Sequence, residues 1–185
     1  MPLTLAGTPA INGLAVPTDT LSSGLVLITS QTFSAASTVS VNNCFTSTYE
    51  NYRLQVSVSS HSATGSFYIR FRAAGTDTST STYTWGNGRA GRTSLSDGGG
   101  SSSATSFSFG YNTTGTPCHF SFDVFRGNTS ASAGLAGNNY STDAGPIAAF
   151  FGGICTQATA HDGLTIYPAS GTMTGTIRVY GYRNS

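Results

Sequence analysis

The chain has no lysine. Its eight basic residues are all arginine (Arg53, Arg70, Arg72, Arg89, Arg92, Arg126, Arg178 and Arg183), set against seven carboxylates. Only 8% of residues are charged, where an ordinary soluble domain carries roughly 25%. Without lysine, no glycine-rich stretch can be a phosphate-binding P-loop. Without a basic tract, and with a net charge of +1, no long-range field draws in nucleic acid or an anionic membrane. Neither is expected as a partner. Cysteine is scarce and odd in number: Cys44, Cys118 and Cys155. Their wide spacing, with no Cys-x-x-Cys pair, argues against zinc. They read as free thiols serving as small core hydrophobes, or as one disulfide with one thiol left over. Long apolar runs are missing, and the stretch Gly24 to Ile28 is far too short to cross a bilayer. The opening MPLTLAGTPAING has neither a basic start nor a continuous apolar region, so it is not read as a secretory leader. Synthesis in a cytoplasm is expected.

What is present is serine and threonine, about 30% of the chain, with 23 glycines and 20 Phe and Tyr residues. The aromatics are enough to build a core, so the Ser/Gly content does not mean disorder. Period-two alternation runs through the chain. Tyr52, Leu54, Val56 and Val58 fall on one face of a strand. So do Phe67, Ile69 and Phe71, then Phe107, Phe109 and Tyr111, then Cys118, Phe120, Phe122 and Val124. Further strands are read at Leu25 to Thr29, Thr38 to Val41, Ala148 to Thr156, Leu164 to Tyr167 and Thr172 to Tyr182. No window holds a helical period over three turns. The fold class is all-β: an antiparallel β-sandwich of eight to ten strands, read as a jelly roll. The run Gly86 to Thr105, with its GGGSSS core, reads as a long mobile loop.

Residues 1–23 differ from 24–185. They hold three of the six prolines and a single charge, Asp19. Leu3, Leu5, Ile11, Leu14 and Val16 are too few to form a core of their own. The segment reads as an extended N-terminal arm for attachment or oligomerisation, ahead of a sandwich domain at 24–185. Burying those five side chains contributes ~1.5 to 3 kcal/mol each, against ~1 to 2 kcal/mol per residue for ordering the backbone. Strand addition to a neighbour must supply the difference.

Chemistry is sparse. His61 and His161 read as turn residues and His119 lies on the polar face of its strand. Side chains adjacent in an extended chain diverge, so His161 and Asp162 make no dyad. No Gly-x-Ser-x-Gly elbow occurs, and no calcium loop. Asp77 and Asp97 bracket an aromatic stretch but read as turn residues rather than as paired glycosidic acids. No catalytic residue, metal or cofactor is assigned, and no enzyme activity is expected. Two surfaces stand out for binding. Tyr83, Trp85, Arg89 and Arg92 read as a loop able to stack on and hydrogen-bond a glycan. Tyr68, Arg70 and Arg72 share a strand face suited to a subunit contact, where Arg and Tyr are enriched and Lys is depleted.

The runs Gly24-Leu-Val-Leu-Ile-Thr-Ser-Gln-Thr-Phe33, Phe45-Thr-Ser-Thr-Tyr-Glu-Asn-Tyr-Arg-Leu54, Phe67-Tyr-Ile-Arg-Phe-Arg72 and the closing strand to Tyr182 resemble small virion proteins of tailed bacteriophages, cyanophages included. The resemblance covers most of residues 24 to 183. It implies a structural component of the particle surface, a homo-oligomer and most simply a trimer, made in the bacterial cytoplasm. Two roles follow from it. One is a capsid decoration or cement protein bound to the major capsid protein through the arm. The other is a tail-fibre or receptor-binding protein that recognises host surface glycan through its loops.

Overall fold

A computed structural model describes residues 10–11, 14–15, 24–90, 95–96, 98–141 and 147–183. Strands β1 (Ala10–Ile11) and β2 (Leu14–Ala15) pair as a small antiparallel hairpin. The chain continues through β3 (Leu25–Ala36), β4 (Val39–Val41), β5 (Asn51–His61), β6 (Gly65–Ala73), β7 (Thr76–Asp77) and β8 (Tyr83–Ala90). Then come β9 (Leu95–Ser96), β10 (Gly100–Ala104), β11 (Phe107–Asn112) and β12 (Cys118–Phe125). Strands β13 (Ala133–Ser141), β14 (Ile147–Cys155), β15 (Gly163–Pro168) and β16 (Met173–Tyr182) complete it. No helix occurs among the described residues, so none is long and apolar enough to cross a membrane.

The large sheet runs β10-β8-β14-β13-β12-β5-β16-β3, with β9 added to β8. The small sheet runs β11-β6-β15-β4, with β7 added to β6. Every pairing is antiparallel. From β3 to β6 the chain changes sheet at each connection, and it does so again from β14 through β15 to β16. The result is an antiparallel β-sandwich with jelly-roll-like crossings, in line with the expected fold class.

The core lies between the sheets, where alternation placed it. Tyr52, Leu54, Val56 and Val58 of β5, and Phe120, Phe122 and Val124 of β12, are buried against Phe67, Ile69 and Phe71 of β6. Ring contacts bridge the layers: Phe109 to Phe120 at 4.6 Å and Phe67 to Phe120 at 5.3 Å between centroids. Each such side chain contributes ~1.5 to 3 kcal/mol on burial. The aromatic corner before β5 is tied by Tyr52. Its hydroxyl accepts the Thr46 N–H at 2.7 Å and lies 2.5 Å from the Thr46 carbonyl it donates to. All three cysteines are free and buried. Burial pushes the Cys44 thiol up to about 12, which makes it a packing group rather than a nucleophile.

Two expectations change. Strand β3 extends over 12 residues, well beyond Thr29. The supposed mobile loop from Gly86 to Thr105 holds β10, which pairs with β8 through Gly100 to Gly86 and Ser101 to Trp85. Serine and glycine form a strand here because the partner supplies the ladder hydrogen bonds. The described part of the arm holds the β1–β2 pair, with Ile11 opposite Leu14. Leu3, Leu5 and Val16 lie outside the described residues.

Candidate functional site

The sandwich has two outer faces, one on each sheet. On the small sheet, Tyr68 stacks on Tyr167 with centroids 5.4 Å apart. The Arg70 guanidinium sits 5.1 Å from the Tyr167 ring centroid, and its Nε donates to the Thr105 carbonyl at 3.0 Å. Both Tyr68 and Arg70 remain partly exposed, as a contact face requires. Arg72 does not. It donates to Asp77 and to the Gly75 carbonyl, to Thr165 Oγ1 at 2.8 Å, to Ser40 Oγ at 3.0 Å and to Asn42 Oδ1 at 2.9 Å. Thr165, fully buried, also donates to Asp77 at 2.6 Å. Arg72 therefore fastens its own sheet and leaves the proposed subunit-contact set.

The glycan loop is not assembled either. Tyr83 is 0% exposed. Its hydroxyl accepts from the Phe71 N–H at 3.0 Å and donates to the Thr78 carbonyl at 2.9 Å. Its ring meets Phe107 edge-on at 4.7 Å. No ligand can stack on it. Trp85 is partly buried and packs against the core. Arg89 lies within β8 opposite Ala149, and Arg92 lies outside the described residues. The error was one of parity: Tyr83 pairs with inward-facing Cys155.

The histidines stay apart. His61 ends β5 in a buried position, its Nδ1 2.9 Å from the Ala63 carbonyl. His161 is buried beside Phe71 at 5.0 Å. Its burial holds its pKa below the ordinary value, although nearby Asp162 works the other way. Asp77 is held by Arg72 and Thr165, and Asp97 lies outside the described residues. Among the described residues no group of three or more His, Cys, Asp or Glu side chains could hold a metal ion.

The outer face of the large sheet differs. The six large exposed hydrophobics among the described residues lie on it: Leu25, Leu27, Phe125, Tyr140, Phe150 and Ile154. Register places its side chains in rows across the strands. One row runs Tyr140, His119, Ser57 and Thr176. The next runs Phe150, Asn138, Ser121, Gln55 and Arg178. Between them lies an open trough of about 620 Å3, lined by Gln55, Ser57, His119, Ser121, Asn138, Tyr140 and Arg178 among others. Small-ligand sites span about 300 to 1,000 Å3. A third row closes the trough at one end. There Arg53 grips Asp123 through Nε at 2.5 Å and Nη2 at 2.7 Å, and the Tyr182 hydroxyl donates to Asp123 at 2.7 Å. Partial burial works against the Asp123 carboxylate, but the Arg53 and Tyr182 hydrogen bonds outweigh it and its pKa falls below the ordinary value. Sequence reading put His119 on the polar face of its strand and named Arg178 only among the arginines. Nothing in it joined them, because the trough draws on four strands from distant parts of the chain.

No family model and no curated protein matches the chain. Among solved structures, it is similar to the galectin LEC-6 of Caenorhabditis elegans, with 10% identity over 84% of this chain and 95% of that one, at a TM-score of 0.33. A likeness at that level says nothing of what this chain binds.

Proposed function

We propose that the chain is a non-enzymatic structural protein of a tailed-phage particle, an oligomeric decoration or cement protein held at the particle surface through its N-terminal segment. The resemblance of residues 24 to 183 suggests the particle. The observation that supports assembly is β3. It ends the large sheet and pairs only with β16 among the described residues. Its 12 residues include no charge and no proline. An open edge is a template for another strand, and chains that remain single blunt theirs with lysine, proline or bulges. The register of β3 on β16 shifts near each end, yet Thr29 to Phe33 pair without interruption. That stretch leaves a flat edge for a neighbour, directly after the segment proposed as the arm.

The test combines light scattering of the purified protein with antibody labelling of intact particles in the electron microscope. An oligomer in solution and label over the head are expected. Ser30→Lys with Thr32→Lys, both at exposed positions, should shift the oligomer toward monomer while leaving the fold intact. A monomeric wild-type protein together with unlabelled particles would overturn the reading. Label confined to the tail would move the protein to the receptor-binding role, which the trough on the large sheet favours.

A further inference from the structure

We infer that the trough on the outer face of the large sheet is a saccharide-binding site, built from Tyr140, Asn138, His119, Gln55 and Arg178. The inference does not depend on where on a particle the protein sits, or on its oligomeric state.

The first observation concerns hydrogen bonding. Gln55, Ser57, His119, Ser121, Asn138, Tyr140 and Arg178 are contiguous in two rows, and none of their side chains is hydrogen-bonded to another described residue. In the adjoining row Arg53 and Asp123 bond to each other, and Tyr182 donates to Asp123. The trough thus presents amide, hydroxyl, imidazole and guanidinium groups with free donor and acceptor capacity. Among the described residues it contains no carboxylate.

The second observation is the aromatic wall. Tyr140 is 48% exposed and Phe150, at the rim beside Asn138, is 63% exposed. Phe150 keeps its place by resting its ring against Gly88, where any Cβ would come within 2.4 Å of it. An exposed ring next to unbonded amides suits a ligand with a flat apolar C–H face and a periphery of hydroxyls, which describes a pyranose. Aromatic side chains give such contact area with little loss of conformational freedom.

Other ligand classes fit less well. A nucleic acid needs a track of cations, and among the described residues the trough supplies a single guanidinium. A peptide adds to a sheet edge or anchors bulky side chains in apolar pockets, whereas the trough lies over the middle of the sheet, where strands β13, β12, β5 and β16 already pair with one another. Arg178 has no carboxylate partner among the described residues and lies between Gln55 and Ser30 in register, where it can hydrogen-bond a uronic-acid carboxylate as readily as a neutral sugar hydroxyl.

The full chain should be screened on a printed array of neutral and uronic-acid oligosaccharides, and the strongest ligand titrated by calorimetry. Saturable binding is expected, weakened by about tenfold on Tyr140→Ala, a change of ~1.4 kcal/mol. Asn138→Ala should weaken it in the same direction. Phe125→Ala removes an equally exposed ring from the far end of the same face and should leave affinity unchanged. Thermal unfolding of each variant separates lost binding from lost fold. No binding anywhere on the array, or binding indifferent to both Tyr140→Ala and Asn138→Ala, would overturn the assignment.

Discussion

The two outer faces of the sandwich are made of similar residues and behave in opposite ways. On the small sheet, Arg72, Asp77, Thr165, Ser40 and Asn42 bond to one another. On the large sheet, Arg178, Gln55, Ser57, Ser121 and Asn138 lie side by side and leave their bonding groups to water. In a chain this poor in charge, composition cannot distinguish the two. What differs is proximity to a carboxylate. Asp77 sits across a tight turn from Arg72 in the β6–β7 pair and draws the neighbouring hydroxyls into one network. Arg178 has only Gln55 and Ser30 beside it in register. One face holds the fold together, and the other remains able to bind something else.

The sharpest way to break this contrast is to remove Arg72. Its side chain is 13% exposed and Asp77's 23%, so Arg72→Ala strands a carboxylate and the fully buried Thr165 hydroxyl without their main partner. The expected loss is about 3 kcal/mol, the size found when one member of a largely buried pair is deleted. Urea unfolding measures it directly. Arg72→Lys should recover little, because a single ammonium cannot stand in for Nη1 on Asp77, Thr165 and Ser40, Nε on Asn42 and Nη2 on the Gly75 carbonyl together. A loss under about 0.5 kcal/mol, the range of ordinary surface changes, would show the network to be ornamental.

A smaller effect is expected at the row that borders the trough. Arg53 and Asp123 are half open to solvent, with side chains 34% and 22% exposed, so screening reduces what the pair contributes. Asp123→Asn should cost about 1 kcal/mol. The pH dependence has a definite sign. The folded state holds the Asp123 carboxyl below its ordinary value of 3.8, so its contribution is complete above that pH. It is lost as the pH falls from there through the folded value. Tm measured from pH 6 down to pH 2 should fall less steeply in Asp123→Asn than in the wild type. His161, whose folded pKa also lies below the ordinary 6.5, adds a second loss that begins as the pH drops below that value. The two are separated by their pH windows.

How far each region was legible in the sequence follows the same physics. Where a strand buries one face under large side chains, alternation exposes it, and β12 was read at Cys118 to Phe125 with the observed bounds. Strand β13 was missed because its inward positions include Gly137, Asn139 and Ser141. The space there is already filled by β12: a Cβ on Gly137 would come within 2.3 Å of Phe122 Cβ. Small residues opposite large ones erase the period that sequence reading relies on. Strand β8 was missed for a related reason, since its glycines at 86 and 88 look like loop. The two outer faces were illegible for a different reason. Polar residues at outward positions look alike in one dimension, and only register shows which of them meet a carboxylate. Arg72 was therefore read as free for a partner, and the trough was not seen at all.

The least expected effect completes the comparison. Removing polar groups from the trough, as in Arg178→Ala, Asn138→Ala or Ser121→Ala, breaks no hydrogen bond within the described residues. Stability should change by no more than about 0.5 kcal/mol for each, against the large loss on removing Arg72 from the other face. The two arginines differ by only this: one is bonded on every side and the other on none. If Arg178→Ala proved as costly as Arg72→Ala, the trough residues would belong to the fold's own scaffolding, and the free bonding capacity on which the saccharide assignment rests would be gone. If the trough variants unfold with the wild type while losing ligand, the large-sheet face is maintained for binding at no benefit to the fold.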